Sequence, residues 1–216
     1  MRTIAVFGAG GFGKEVQAWI QQIGGWEFIG FFDDNIPVNS FVNDAPVLGG
    51  LEELNNYQDE LNVVFAIGDP IIKKRIIECL SNKKIVFPVL IHPSAVIGNP
   101  KYIEIGAGTI IAPNTVVTTN IVIGKHVALN YSCTVGHDTV IKDYSAFMPG
   151  VNISGEVEIG ECVYVGTGAK IINRKNIGDN TLVGAGAVVT KSLPEYCTAV
   201  GVPAKPIKYH QLKIAG

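Results

Sequence analysis

The residues at every sixth position from Ile105 to Val189 most constrain what this chain can fold into. All fifteen, from Ile105, Ile111 and Val117 through Phe147 to Val183 and Val189, are aliphatic or Phe, with no slip in register. A small or β-branched residue follows four positions later in most repeats, as at Thr109, Thr115, Cys133 and Ala169. Glycine often follows directly, at Gly106, Gly124, Gly136, Gly160, Gly166, Gly178 and Gly184. A period of six suits neither an amphipathic helix nor an alternating hairpin. It suits a coil of short strands joined by tight corners, with the aliphatic inward and the next residue turning. Glycine is expected after the aliphatic because a corner demands backbone angles that a β-carbon penalises. With three repeats per triangular coil the run makes about five coils, a column roughly 20–25 Å tall. Each coil buries the face of its neighbour in a ladder of Ile and Val.

Ahead of the repeats the pattern changes. Ile4–Phe7 is a short apolar run, followed by Gly8-Ala-Gly-Gly-Phe-Gly13 and a segment with Val16, Trp19, Ile20 and Ile23 at helical spacing. A glycine turn between strand and helix lets a phosphate approach the backbone, where the helix N-terminus offers free N–H groups. Gly8, Gly10, Gly11 and Gly13 are therefore candidates for contacting a diphosphate. A second strand over 28–32 ends in Asp33-Asp34, placed where an acidic residue contacts a ribose. A polar loop, a short helix near 51–54, a strand over 62–67 ending at Gly68-Asp69, a helix over 71–80 and a last strand over 85–91 complete the unit. A full dinucleotide fold needs two such halves. One half suits the nucleotide of an activated sugar better than NAD, and a purely structural tight turn remains the plain alternative. The reading divides the chain into residues 1–90 and 91–216. The hexads start imperfectly between Ile91 and Ile105, so the first coil is expected to weld the two parts together.

The net charge of −2 gives no electrostatic case for nucleic acid. Cys79, Cys133, Cys162 and Cys197 lack CxxC spacing, which argues against zinc and suits a reducing cytoplasm. No segment approaches the length of a membrane span. The expectation is a cytoplasmic protein that binds neither membrane nor nucleic acid.

Of four histidines, His92 precedes a proline at the junction, His126 lies in a plain repeat and His210 in a polar tail. Three metal histidines in the pattern of a β-helix carbonic anhydrase are lacking, so no metal is expected. His137 is followed directly by Asp138 on the corner side of its repeat. A free imidazole titrates near about 6.5 and can accept a proton at neutral pH, and an adjacent carboxylate would orient it. A surface histidine on a solenoid corner would look the same.

Gly136-His-Asp138, Pro149-Gly150, Gly155, Val183-Gly-Ala-Gly-Ala187 and Gly201-Val-Pro-Ala-Lys205 together change that balance. With these motifs and the glycine turn, the whole chain resembles the two-domain hexapeptide-repeat sugar acyltransferases of the sialic-acid and bacillosamine acetyltransferase type. The resemblance implies an α/β Rossmann-like half domain followed by a left-handed parallel β-helix, the handedness coming from the resemblance alone. It implies that His137 is the general base, that Asp138 orients it, and that Asn130 lies near the acceptor sugar. It also implies a homotrimer with acetyl-CoA in the groove between neighbouring β-helices. There Gly155 and Ala185 would face thioester and pantetheine, Pro203 and Lys205 would lie toward the adenosine end, and Lys191 is a further candidate for binding the cosubstrate. Met148, Tyr144 and Tyr164, read as outward, would suit the interchain wall. Relatives often carry a second histidine nine residues after the base, where this chain has Ala146.

The expected activity is acetyl-CoA-dependent N-acetylation of a nucleotide-linked amino-deoxy sugar. The nucleotide would be held by the glycine turn, Asp33, Asp34, Gly68 and Asp69. O-acetylation of a sugar or sialic-acid hydroxyl is the alternative, and a β-helix scaffold without catalysis is the rival from another class. Cys133, in an inward slot, is not expected to act as a nucleophile. The identity of the nucleotide and of the sugar isomer is not legible.

Overall fold

The computed structural model describes residues 2–210. Strand β1 (Arg2–Phe7), helix α1 (Gly11–Ile23), β2 (Trp26–Phe32), β3 (Phe41–Val42), β4 (Ala45–Gly49), α2 (Leu51–Asn55), β5 (Leu61–Phe65), α3 (Pro70–Glu78) and β6 (Ile85–Val86) form the N-terminal unit. Their sheet runs β3-β4-β2-β1-β5-β6, parallel except for the β3–β4 hairpin. The strand order reverses at β1, so the crevice between the carboxyl ends of β1 and β5 is the switch point at which such sheets bind ligands. β4 falls within the segment expected to be a polar loop; it lies between β3 and β2, with Ala45, Val47 and Gly49 buried in alternation. The strand expected over 85–91 is in fact two. Ile85–Val86 pairs with β5, whereas Leu90–Ile91 pairs with Ile110–Ile111 in the second unit.

That second unit is a three-faced parallel solenoid. Face A runs from Leu90–Ile91 to Cys197–Val200, face B from Val96–Ile97 to Val188–Val189, and face C from Ile103–Ile105 to Asn176–Ile177. Pairing of Ile110 with Ala128 and of Val116 with Thr134 fixes eighteen residues per coil. The hexad residues from Ile111 to Val189 all point inward and are buried. The two extra residues before Ile105 are taken up by a 3-10 turn at Pro100–Tyr102. The chain closes with a hairpin in which Lys205–Tyr209 pairs antiparallel with Cys197–Val200.

The corner glycines do not have the cause expected of them. Gly106, Gly124, Gly136, Gly160, Gly166 and Gly178 are not in the left-handed region, but a β-carbon there would meet the next coil. At Gly136 it would lie 2.6 Å from the Gly155 nitrogen. The left-handed residue comes two positions later and is carried by Asn120, His126, Ser132, Asp138, Tyr144, Cys162 and others, with φ near 55–63°.

The N-terminal unit grips face A by both its edges. At the edge between faces A and B, Trp19 Nε1 donates to the Tyr131 hydroxyl at 2.9 Å, and Gln22 Oε1 meets His92 Nε2 at 2.6 Å. At the edge between faces C and A, Lys74 pairs with Glu161 at 2.8 Å and lies over the Tyr144 ring. His126 stacks on Tyr144 there and meets Phe87 edge-on. Between these edges Leu90, Ile110 and Ala112 share one core with Val16, Trp19 and Ile20 of α1. The junction thus runs along several coils, from Leu90 and His92 to Tyr144 and Glu161, where the first coil alone was expected to make it. Tyr144, however, is committed to this junction and is not free for an interchain wall.

Candidate active site

His137 and Asp138 sit at the edge between faces B and C, which among the described residues makes no hydrogen bond with the N-terminal unit. Asp138 adopts the left-handed corner conformation, φ 57°, which a short polar side chain tolerates. The turn is clamped from both sides: the Asp138 N–H donates to the Thr119 carbonyl at 3.1 Å, and the Glu156 N–H to the His137 carbonyl at 2.7 Å. The His137 ring is 57% exposed, with Nδ1 2.7 Å from Asp138 Oδ2. The bond to His137, and then one to Asn120, hold the Asp138 carboxyl below the usual aspartate value. A charged carboxylate accepts, so Nδ1 carries the proton and the Nε2 lone pair is free to take another.

Gly155 belongs to the next coil at the same edge. The ring occupies the space a side chain there would need: a β-carbon on Gly155 would lie 2.5 Å from His137 Nε2. Gly155 is buried under the ring, and its N–H donates to no protein acceptor among the described residues. Lys191 lies at the same edge, exposed.

Asn130 and Ala185 lie elsewhere, at the edge between faces A and B. Asn130 is buried, and its Oδ1 accepts the Tyr131 N–H at 2.7 Å; Ala185 is exposed. Pro203 and Lys205 are exposed in the closing hairpin, where the Ala204 N–H donates to the Val188 carbonyl on face B. A six-residue side separates the two edges by roughly 15–20 Å. One chain therefore does not bring Asn130 and His137 together. Ala146 is fully buried on face A.

In the N-terminal unit the four glycines divide. Gly8 has φ +101° beside the Ala66 carbonyl, and a β-carbon on Gly13 would lie 1.8 Å from the Gly8 oxygen. These two are required by the fold. Gly10 and Gly11 have nothing within 4 Å of the position of a β-carbon and no left-handed backbone. Gly10 ends at the N-terminus of α1, which lacks a side-chain cap. Asp33 ties this turn to β2, accepting from the Ala9 N–H at 2.8 Å and the Asn35 N–H at 2.9 Å. Asp34 Oδ1 accepts the Leu51 N–H at 2.7 Å, and both aspartates line a cleft of ≈ 460 Å³. Gly68 is open, and Asp69 caps α3 by accepting from the Ile71 and Ile72 N–H groups.

Cys133 is buried, its thiol pushed up to about 12 by burial, which makes it a poor nucleophile. Among the described residues no group of three or more His, Cys, Asp or Glu could hold a metal, and no helix is long and apolar enough to cross a membrane.

Comparison with known proteins places the chain in a family. Residues 3–80 match the model of the PglD N-terminal domain. GDP-perosamine N-acetyltransferase of Escherichia coli O157:H7 is 33% identical over 96% of this chain and 97% of its own length. The chain belongs to the hexapeptide-repeat sugar acetyltransferases. The acetyltransferase domain of PglB from Neisseria gonorrhoeae FA1090, solved with acetyl coenzyme A, is 33% identical to this acetyltransferase. Its TM-score is 0.86, over 95% of this chain and 99% of that one. PerB from Caulobacter crescentus, solved with CoA and GDP-perosamine, is 28% identical, with a TM-score of 0.86 over 96% and 98%. The likeness of this acetyltransferase to both relatives spans the glycine turn and the solenoid alike.

Sequence reasoning missed the buried Lys73 and His126 at the junction of this acetyltransferase. Lys73 is 1% exposed, and burial lowers its amine to about 7. His126 is buried with Nδ1 unpartnered, and desolvation, then Lys73, lower it to about 4. Wrapping the sequence by eighteen would have shown His126, Tyr144 and Cys162 stacked along one edge.

Proposed function

We propose that this chain transfers the acetyl group of acetyl-CoA to the amine of a nucleotide-linked amino-deoxy sugar, with His137 as general base. The observation that carries this is the 2.7 Å contact between His137 Nδ1 and Asp138 Oδ2, which leaves Nε2 as the basic nitrogen. The amine attacks the thioester carbonyl and gives its proton to Nε2. The oxyanion is assigned to the Gly155 N–H beside the ring. Collapse expels the CoA thiolate, which takes the proton back from His137. No acyl-enzyme is required.

The nucleotide is assigned to the N-terminal unit, with its phosphates at Gly10 and Gly11 and its ribose or base beside Asp33 and Asp34. Two glycines that neither space nor backbone angle demands support this assignment. Lys191, Pro203 and Lys205 are assigned to acetyl-CoA.

The assembly we infer is a homotrimer. Asn130 and Ala185 on one edge and His137, Gly155 and Lys191 on another meet when the A/B edge of one copy faces the B/C edge of the next. The aromatic chain Phe12–Trp19–Tyr131 links the glycine turn to the Asn130 edge, so a chain's nucleotide site serves its neighbour's His137.

The test is a panel of nucleotide-linked amino sugars and their hydroxyl counterparts with acetyl-CoA, following free thiol. Turnover confined to amines supports the proposal; turnover of hydroxyls alone would make the enzyme an O-acetyltransferase, and none with either would point to a scaffold.

A further inference from the structure

The column of left-handed corner residues through the B/C edge reads Asn120, Asp138, Glu156 and Arg174, one per coil. Asn120 Nδ2 donates to Asp138 Oδ1 at 3.1 Å, while Oδ2 of the same carboxylate holds His137 Nδ1. One coil further on, Arg174 Nε meets both Glu156 carboxylate oxygens at 3.1 Å. Neighbouring coils stand about 4.8 Å apart, so the Asp138 and Glu156 corners occupy successive steps of one column, with His137 beside the first. Arg174 engages the second. Asn120 fixes the first: with Oδ1 taken by an amide N–H, only Oδ2 is left to face the ring.

We propose that Asn120 is a positioning residue for the transfer reaction, holding the Asp138 carboxylate in the rotamer that keeps the proton on Nδ1 and the Nε2 lone pair outward. It touches no reacting atom and acts through Asp138. The inference rests on His137 being the base. Glutamine would not replace it, because the longer side chain cannot place its amide at the same height in the stack.

Asn120→Gly removes the amide and keeps the corner, since glycine adopts φ near 54° without strain. It should lower kcat about ten-fold, a fraction of the 10²–10⁴ a general base contributes, with both KM values unchanged. Asn120→Asp, also tolerant of this backbone, places a third carboxylate in the column, next to Asp138. A like-charged cluster favours the imidazolium, so the His137 signal in this variant should titrate above that of the wild type. NMR of ¹⁵N-labelled imidazoles reads this, with the signal assigned by its loss in His137→Ala. In the His137→Ala background, Asn120→Gly should cost nothing further. Wild-type kcat in Asn120→Gly, an unmoved titration in Asn120→Asp, or a full ten-fold loss persisting in the double variant would each overturn the proposal. Full activity in His137→Ala would instead overturn the assignment of the base, so the two failures are distinguishable.

Discussion

At the scale of single residues, the distinction that matters is between the histidine proposed for chemistry and one buried in the structure. His137 is exposed, hydrogen-bonded at one nitrogen and open at the other; His126 is buried with an unpartnered nitrogen. His137→Ala should lower kcat by about 10²–10⁴ with acetyl-CoA affinity kept, and Asp138→Asn by less, because it disturbs orientation without removing the base. Steady-state kinetics checks both. The buried pair at the junction makes a stability prediction instead. The folded state holds Lys73 down to about 7 and His126 to about 4, whereas unfolded lysine and histidine titrate near about 10.4 and 6.5. Between the two values the unfolded chain binds the extra proton, so stability falls as pH drops from 10.4 to 7 through Lys73, and again from 6.5 to 4 through His126. Lys73→Met should raise Tm at pH 6 and flatten the rise between pH 7 and 10, as thermal melts across that range would show.

Among elements, the coil was legible because one residue in six must be apolar and inward, and every such residue from Ile111 to Val189 is buried. What the linear pattern conceals is the eighteen-residue period, which decides the neighbours. Asn120 lies beside Asp138, and His126 beside Tyr144, only once the chain is wrapped. The same limit hid the reason for the glycines. Gly136→Ala would press a methyl onto the backbone of Ser154 and Gly155 and should cost about 1–3 kcal/mol in denaturant titration. Gly10→Ala meets nothing and has φ −72°. It should leave Tm unchanged while raising the KM of the acceptor and sparing that of acetyl-CoA. A lowered Tm, or equal effects on both KM values, would return the turn to a structural role. The His137–Asp138 dyad was visible in sequence because its members are adjacent. Its separation from Asn130 by a whole face was not, because strand length and corner count set that distance.

For the molecule as a whole, the proposed solenoid site residues fall on two edges, and the proposed trimer would unite them. Mixing His137→Ala chains with Gly10→Val chains, unfolded and refolded together, should restore part of the activity that neither has alone. Mixed trimers would then contain sites with an intact base from one chain and an intact nucleotide turn from its neighbour. No recovery, with trimers verified by light scattering, would place both halves of the site in one chain.

The closing segment has a further consequence. Face A ends in the antiparallel strand Lys205–Tyr209, face B's last strand bonds to Gly201 and Ala204, and face C's Ile177 bridges to Leu193. A bare solenoid end would be three rows of unsatisfied backbone groups, able to template a further coil from any other molecule. Here the outermost row carries Lys205, Pro206 and Lys208, and proline removes a donor while the lysines repel another copy. Cutting the chain after residue 192 would therefore do more than shave off a tail: it would leave the last rows of the solenoid bare, and light scattering should show association that rises with protein concentration.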